Sequence, residues 1–340
     1  IASYGSAGAK PNIGVTKVAD RRLDAIEAVV RPARIVKADI TYLDLPAPPS
    51  GLGETKGLSG EYLNHLQRAD ILVIVARAFD NPAVAHFAGS VDVIRDAETM
   101  LYELIFSDLG ILARRLERLA AESKTAKASE RPSLQKEEAV LVRVKEALED
   151  GGRVGDQQLR EDDRRMMDGF QLLTAKPLVV VVNVSEEQLA RTDEIEASVA
   201  GLMTGEGVRT TTVCGSLEME LAQMDPDDEA EFRTSMGVAE SGLDRMTRLC
   251  YDASDQITFF TASSTELRAW PLNRGATVQK AAGGIHSDMD RGFIRAEVIA
   301  YQDLVEVGGE EEAKRKGILR TEGKTYIVKD GDVLHILFNV

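Results

Sequence analysis

The residues best placed for chemistry follow apolar runs, at the points where buried strands would end. Asn183 and Glu186, in the tetrapeptide NVSE, follow the run LVVVV, and Asp44 closes the run ITYLD. In an open parallel sheet, ligands bind beyond the carboxyl ends of the strands. There, an amide and a carboxylate can read the donor and acceptor groups of a purine, and Asp44 can orient a water molecule on Mg²⁺.

A loop of small residues is the third candidate. It follows the run TTTV and consists of Cys214, Gly215 and Ser216, whose size would let a base lie close to the backbone. Each candidate is ambiguous alone, because Asn or Asp after a strand commonly serves as a cap or turn residue. Their order along the chain, Asp, then NxxE, then the small loop, matches the layout of a G-domain nucleotide pocket.

Alternating strands and helices must position these residues. The hydrophobic patterns predict strands over residues 35–45, 71–76, 178–183 and 210–213, and helices over residues 58–68 and 187–204. This βαβ rhythm is typical of a parallel sheet.

A helical segment interrupts this rhythm. Apolar residues between 100 and 119 keep i, i+4 spacing, and a second amphipathic stretch covers residues 134–148 after a polar turn. The two stretches predict an antiparallel helical hairpin inserted into the α/β domain. Its surface carries many charges of both signs, which fits either a partner-binding arm or a face that only meets water.

A β-rich module follows from residue 257. It begins with ITFFT and ends with YIVKDGDVLHILFNV. The tetrapeptide KDGD between two apolar runs indicates a hairpin turn.

Composition excludes several classes of protein. The 340 residues include 41 basic and 56 acidic residues, and the acid excess lies in residues 171–258, with 6 basic and 17 acidic residues. A net charge of −15 argues against bulk non-specific DNA binding, and no apolar run is long enough to suggest a membrane span. Only Cys214 and Cys250 are present, which predicts reduced thiols and a cytoplasmic location.

The sequence resembles the YchF/Ola1 family of Obg-related ATPases and GTPases along essentially its whole length. The segments that carry the resemblance are KPNIGV at 10–15, DRRLD at 20–24, YLD at 42–44, NVSE at 183–186, VCGSLEMEL at 213–221, ELRAW at 266–270, GGIHSDMDRGFIRAEVIAYQDL from 283 and YIVKDGDVLHILFNV from 326. The last two segments are the most specific.

The resemblance implies an α/β fold with three parts. A Ras-like P-loop NTPase domain with a parallel-rich sheet would cover residues 1–107 and 171–256, a coiled-coil insertion 108–170, and a β-grasp (TGS) domain 257–340. In this family NxxE stands where most GTPases have NKxD, which is associated with accepting ATP as well as GTP. Asn183 and Glu186 would then read the base beside the loop of Cys214, Gly215 and Ser216. His86, in AVAHFAG, would position the attacking water, or else would only pack in its loop.

The phosphate-handling parts of the family match poorly. The sequence has no GxxxxGK[ST] motif, Gly8 stands where the family has a switch I threonine, and residues 45–49 read LPAPP where an Ala-Gly pair is expected. We therefore expect this sequence to be part of a longer protein whose P-loop precedes Ile1.

The leading hypothesis is a switch protein that binds ATP or GTP with Mg²⁺, hydrolyses it slowly and contacts the ribosome or RNA through the TGS domain. The candidate RNA contacts are Arg268, Arg274, Lys280, Arg291 and Arg295. The alternative is a non-catalytic adaptor, a degenerate NTPase that binds partners through its hairpin and TGS domain. A metabolic enzyme is disfavoured, because the sequence has no paired acid and base or nucleophile constellation.

Overall fold

The computed structural model describes residues 11–45, 58, 60–86, 88–238 and 240–339, except the side chain of Pro226. The chain divides into two compact units, each described by itself below. The core unit comprises Ile1–Asn12 and Asp44–Ala253, and the tail unit comprises Ile13–Leu43 and Ser254–Val340.

The strands in the described residues are β1 (Asn12–Lys17), β2 (Ile35–Val36), β3 (Asp39–Asp44), β4 (Leu72–Arg77), β5 (Leu178–Asn183), β6 (Val208–Val213), β7 (Gln256–Ala262), β8 (Leu267–Asn273), β9 (Phe293–Ala300), β10 (Arg320–Glu322) and β11 (Asp332–Phe338). The α-helices there are α1 (Arg21–Val30), α2 (Gly60–Arg68), α3 (Val93–Thr125), α4 (Arg131–Glu149), α5 (Glu161–Asp168), α6 (Thr192–Leu202), α7 (Gly215–Leu221), α8 (Pro226–Ser235), α9 (Gly242–Ala253), α10 (Val278–Ile285), α11 (Ser287–Arg291), α12 (Tyr301–Val307) and α13 (Glu310–Lys316). Short 3₁₀ helices cover Val154–Asp156, Leu173–Ala175 and Glu186–Arg191.

A parallel sheet with the order β4-β5-β6 forms the centre of the core unit. The middle strand, β5, is apolar up to its last residue, and Val179, Val180 and Val182 are fully buried, as expected for a strand covered on both faces. Helices α3, α6 and α9 pack against this sheet. The predicted α/β fold with a parallel sheet is therefore confirmed.

The predicted helical hairpin is present as α3 and α4. Asp92 is the N-cap residue of helix α3, and its carboxylate accepts a hydrogen bond from the N–H of Arg95. Apolar side chains at i, i+4 and i+7 spacings, such as Leu112 and Leu119 on α3 and Leu141 on α4, are buried between the helices.

A buried carboxylate braces the hairpin against the segment that leads into β5. Asp108 on α3 accepts hydrogen bonds from the N–H of Leu173 at 2.7 Å, and from the N–H and hydroxyl of Thr174 at 2.8 and 2.7 Å. Burial raises the pKa of Asp108 to about 6, although these three donors oppose the shift.

A six-stranded mixed sheet with the order β10-β9-β11-β7-β8-β2 forms the tail unit. Strands β7 and β8 make an antiparallel hairpin, and β11 lies between β9, to which it is antiparallel, and β7, to which it is parallel. Leu23 and Ile26 of α1 are fully buried in one core cluster with Phe260 and Leu267. Residues early in the chain thus complete the core of its C-terminal part.

Two local expectations differ from the structure. The predicted strand over 35–45 is two strands: β2 pairs with β8, whereas β3 forms a separate two-stranded sheet with β1. Between them, buried Ala38 accepts a backbone hydrogen bond from Val18, the residue after β1, so the chain passes at this point from pairing with β8 to pairing with β1. Residues 13–43, which the prediction placed in the nucleotide-binding domain, cluster with the tail unit.

The expected hairpin turn at KDGD is wrong. A turn is present, but Ile327 before it makes only an isolated bridge with Thr277, and β11 after it pairs with β7 and β9. The acidic residues fix the turn instead, because Asp332 accepts the N–H of Lys329 at 2.8 Å and Asp330 accepts the N–H of Thr258 at 2.9 Å.

Every helix in the described part of the chain is too short or too polar to span a lipid bilayer.

Candidate functional site

The carboxyl ends of β5 and β6 are joined by one side chain. Asn183, the last residue of β5, accepts a hydrogen bond on Oδ1 from the N–H of Gly215 at 3.0 Å. A Cβ atom on residue 215 would lie 3.2 Å from that oxygen, so glycine permits this close approach. The bond also orients the amide, since the oxygen must face Gly215 and the NH₂ group must point elsewhere.

A second bond closes the same corner. Ser216 donates a hydrogen bond from Oγ to Oε1 of Glu186 at 3.3 Å, and the sulfur of buried Cys214 lies 3.4 Å from the same hydroxyl. The structure therefore brings together all five residues predicted to bind the base: Asn183, Glu186, Cys214, Gly215 and Ser216.

The turn that carries Glu186 is held by a capping box. The side chain of Ser185 accepts the N–H of Gln188, and the side chain of Gln188 accepts the N–H of Ser185 at 2.9 Å. The amide nitrogen of Gln188 also donates to the carbonyl of Ala78 at 2.8 Å, just beyond β4. Glu186 thus sits on a turn that is fixed to the neighbouring strand.

An ion-pair network on α7, α8 and α9 supports the loop after β6. Glu218, in the first turn of α7, receives two hydrogen bonds from the guanidinium of Arg233 at 2.9 and 2.8 Å, and one from the N–H of Gly242 at 3.0 Å. Burial alone would raise the pKa of Glu218, but these donors outweigh burial and hold the pKa below its ordinary value. Arg233 also donates to Glu229 at 2.8 Å, so the network ties α7 to α8 and to the start of α9.

Sequence patterns do not indicate Glu218 and Arg233 as supports of this loop. The i, i+4 spacing of Glu229 and Arg233 on α8 predicts their own ion pair. Nothing in the sequence indicates that Arg233 also reaches across to Glu218 on α7.

Asp44, the predicted Mg²⁺ ligand, is exposed at the end of β3. Burial raises the pKa of the Tyr62 hydroxyl, and the nearby Asp44 carboxylate adds to this shift, so the two side chains are neighbours. Among the described residues, the hydrogen bonds that link Asn183, Glu186, Gly215 and Ser216 do not include Asp44.

His86, the predicted water-positioning residue, has both ring nitrogens engaged. Nε2 lies 2.8 Å from Oδ2 of buried Asp96, and Nδ1 accepts the N–H of Ala88 at 3.2 Å. Asp96 is held in turn by Arg95, whose guanidinium donates to Oδ1 at 3.0 and 2.8 Å. This arrangement matches the alternative in which His86 packs in its loop, and its catalytic role stays a prediction.

The chain is similar to known proteins along nearly its whole length. The "Ribosome-binding ATPase YchF" of Bacillus subtilis (strain 168) is 36% identical over 341 residues, a match that covers 100% of this chain and 92% of that protein. "Obg-like ATPase 1" of Caenorhabditis elegans is 34% identical over 337 residues, covering 97% of this chain and 83% of the relative.

This chain belongs to the YchF family. The family model YchF-GTPase_C, described as a protein of unknown function (DUF933), matches residues 256–339. The solved structure of the Schizosaccharomyces pombe YchF GTPase is similar with a TM-score of 0.83 and 26% identity, covering 99% of this chain and 90% of that chain.

The basic residues predicted as RNA contacts lie in the tail unit of this YchF family member, and three of them pair with acidic residues. Arg274 lies 2.8 Å from Asp255, Arg291 pairs with Asp288, and Arg268 lies 3.7 Å from Glu266. The guanidinium of Arg268 also lies 4.4 Å from the ring centre of Trp270, a cation–π distance.

Lys280 on α10 and Arg295 on β9 are exposed, and no ion pair joins either of them to an acidic residue in the described part of the chain. A phosphate backbone could therefore approach these two residues without displacing such a partner.

Several residues where this chain departs from the YchF pattern lie outside the described residues. These are residues 1–10, which include Gly8, and residues 46–57, which include most of LPAPP.

Proposed function

We propose that this YchF-family chain is a nucleotide-binding switch protein that binds ATP or GTP with Mg²⁺ and hydrolyses it slowly. The observation that carries the proposal is the pair of bonds at the carboxyl edge of β5 and β6, Asn183 to Gly215 at 3.0 Å and Ser216 to Glu186 at 3.3 Å. They bring an amide, a carboxylate and a close-lying backbone together where a parallel sheet binds its ligand.

The chemistry of this corner suits a purine. With Oδ1 of Asn183 occupied by Gly215, its NH₂ group remains to donate to a ring nitrogen. The Glu186 carboxylate accepts hydrogen bonds, so it suits the exocyclic amine of adenine or the N–H groups of guanine. Ser216, which donates to Glu186, would keep that carboxylate oriented while a base enters.

Mg²⁺ is an expected cofactor, and Asp44 suits it. An exposed carboxylate at the end of a strand can hold this hard cation through a water molecule. When bound, Mg²⁺ would neutralise negative charge on the phosphates during hydrolysis. The part of this chain in that step is to place Asp44 at the strand end. His86 would need to leave its contact with Asp96 to orient a water molecule.

The deciding experiment is a calorimetric titration of the full-length protein with ATP and with GTP, in the presence and absence of Mg²⁺, followed by a turnover assay. Glu186→Ala should abolish or strongly weaken binding. Its matched control is Glu187→Ala, the adjacent carboxylate, which accepts a hydrogen bond from the hydroxyl of Ser185 at 3.0 Å; this variant should bind nucleotide as the wild type does.

Ribosome association is the second part of the proposal, supported by the relative named a ribosome-binding ATPase. We propose Lys280 and Arg295 as phosphate contacts, assisted by Arg268, Arg274 and Arg291. Charge reversal of Lys280 and Arg295 together should reduce co-sedimentation with ribosomes. Reversal of Lys324, an exposed lysine of the same unit, should not. Equal losses from both changes would contradict the assignment.

The adaptor function remains the competing candidate, favoured by Gly8, which stands where the family has a switch I threonine, and by the sequence LPAPP after Asp44. It predicts ribosome or RNA association without measurable affinity for ATP or GTP. Binding of either nucleotide by the full-length protein would exclude it in favour of the switch.

A further inference from the structure

A cluster of two carboxylates and one imidazole lies in the tail unit, on the wall of an open cleft of about 460 Å³. Glu297 and His335 are directly opposite each other on antiparallel strands β9 and β11, so their side chains share one face of the sheet. Glu310 is the first residue of α13 and lines the same cleft.

The turn before α13 brings Glu310 to the strands. Gly308 and Gly309 adopt φ angles of 86° and 132°, which favour glycine, and they reverse the chain between α12 and α13. Buried Ala313 anchors the short helix to the core. As a result, one donor atom from each of Glu297, Glu310 and His335 lies within 4.8 Å of the other two.

A cationic group of the protein already lies at this cluster. The ammonium of Lys314 is 2.7 Å from Oε1 of Glu310 and 3.6 Å from Oε2 of Glu297. The side chain of Lys314 is 51% exposed, so it can swing into solvent without breaking the core. The position between the carboxylates therefore favours positive charge, and the ammonium of Lys314 is exposed enough to be displaced.

We propose that Glu297, Glu310 and His335 form a binding site for one divalent transition-metal ion, which binds by displacing the ammonium of Lys314. Metal–ligand bonds of about 2.1 Å place donor atoms roughly 3 to 4 Å apart, so small rotations of these side chains complete the set. The imidazole favours zinc-like ions over Mg²⁺ and Ca²⁺, which prefer oxygen ligands alone. The open cleft leaves room for water or a small anion to fill the remaining coordination positions.

The test uses Co²⁺ and Zn²⁺ as probes on the full-length protein without nucleotide, so that its outcome does not depend on the proposed ATP or GTP site. Co²⁺ reports its ligands through visible absorption, and Zn²⁺ should compete for the same site. We expect one equivalent of Co²⁺ to bind with a spectrum typical of nitrogen and oxygen ligands. A thiolate charge-transfer band would place the metal at a cysteine and overturn the proposal.

The variants separate this site from general surface binding. Glu297→Gln and His335→Ala should each weaken Co²⁺ binding by at least about tenfold. Glu311→Gln, a neighbouring carboxylate of the same cleft, is the matched control and should leave the affinity unchanged. Equal affinity in Glu297→Gln and the wild type would overturn the proposal.

Lys314→Met gives the sharpest result, because it removes the competing cation and keeps all three ligands. In this variant the proposed site should bind Co²⁺ several-fold more tightly than in the wild type. A merely electrostatic cluster would bind cations weakly, and removal of the imidazole would not change that binding. Weaker binding by Lys314→Met would contradict displacement. Circular dichroism and thermal unfolding of each variant confirm that the fold is intact.

Discussion

The N–H of Gly215 donates to Oδ1 of Asn183 at 3.0 Å, and this bond ties the loop after β6 to the end of β5. A residue that follows a buried strand can act as a cap or can meet a ligand. In the proposed nucleotide site Asn183 would do both, since its oxygen accepts the bond from the loop and its NH₂ group would donate to a base.

Gly215→Ala tests this close approach. The added Cβ would lie 3.2 Å from Oδ1 of Asn183 and push the loop away, so we expect the affinity for ATP to fall by about tenfold. Gly201→Ala is the matched control, because a Cβ there meets nothing within 4 Å. Calorimetric titration measures both, and unchanged affinity in Gly215→Ala would show that the loop does not contact the nucleotide.

Glu186→Asp tests the base reader. The shorter carboxylate loses its reach to Ser216 and approximates the NKxD pattern, so the ratio of ATP to GTP affinity should move toward GTP. Glu187→Asp should leave that ratio unchanged. A Glu186→Asp variant whose preference stays that of the wild type would remove Glu186 from the specificity site.

Asp108→Asn tests the brace between the hairpin and β5. An amide has one acceptor oxygen, and its NH₂ group would face the N–H of Leu173 or Thr174, so a buried donor is left without an acceptor. We expect the free energy of unfolding to fall by about 1 to 3 kcal/mol, measured by denaturant titration. Asp168→Asn, an exposed change on α5, should cost far less; equal losses would show that the buried bonds contribute nothing.

The pH dependence of stability should carry the signature of Asp108. Its pKa is raised by burial from the ordinary 3.8 to about 6, so between these values the folded chain keeps a proton that the unfolded chain has released. The contribution of Asp108 to the unfolding free energy of the wild type therefore falls as pH rises from about 4 to about 6. The difference in unfolding free energy between wild type and Asp108→Asn should shrink over that window. A difference that grows with pH would mean that the three donors outweigh burial.

Arg22→Met tests the join between α1 and the C-terminal turn of the tail unit. Arg22 donates to Asp20 and, at 2.8 Å, to Asp330, and its guanidinium lies 5.3 Å from the ring centre of Phe260. Its loss should destabilise the tail unit by about 1.5 to 3 kcal/mol, visible as faster amide exchange in β7. Arg21→Met, an exposed neighbour on the same helix, should leave the exchange rates unchanged.

Local patterns were enough to predict some elements and not others. The run LVVVVN predicted the bounds of β5 to the residue, because a strand buried on both faces appears in the sequence as an uninterrupted apolar run. The run over 35–45 was predicted as one strand because nothing local shows that β2 and β3 join different sheets. For the site, NVSE and CGS were identified as neighbours from their places after strands.

The supports of the site and of the tail unit escaped prediction for one physical reason. Arg233 reaches Glu218 from another helix, and Arg22 reaches Asp330 across 308 positions of sequence. A charged residue on a helix usually meets water, so the pattern around Arg22 or Arg233 cannot reveal a partner that only the fold brings near.

The tail unit is built from two segments that lie far apart in the sequence, and this constrains when it can fold. Residues 13–43 leave the translating ribosome early, yet β8 and α12, which contact α1, and the turn that holds Arg22 all come after residue 266. Leu23 and Ile26 therefore stay without their core until the C-terminal strands have been synthesised, while the parallel sheet of the core unit can assemble first. Because residues 44–253 separate the two segments of the tail unit, we expect their association to be a late step in folding. Truncation within β11 should leave the apolar side chains of α1 exposed.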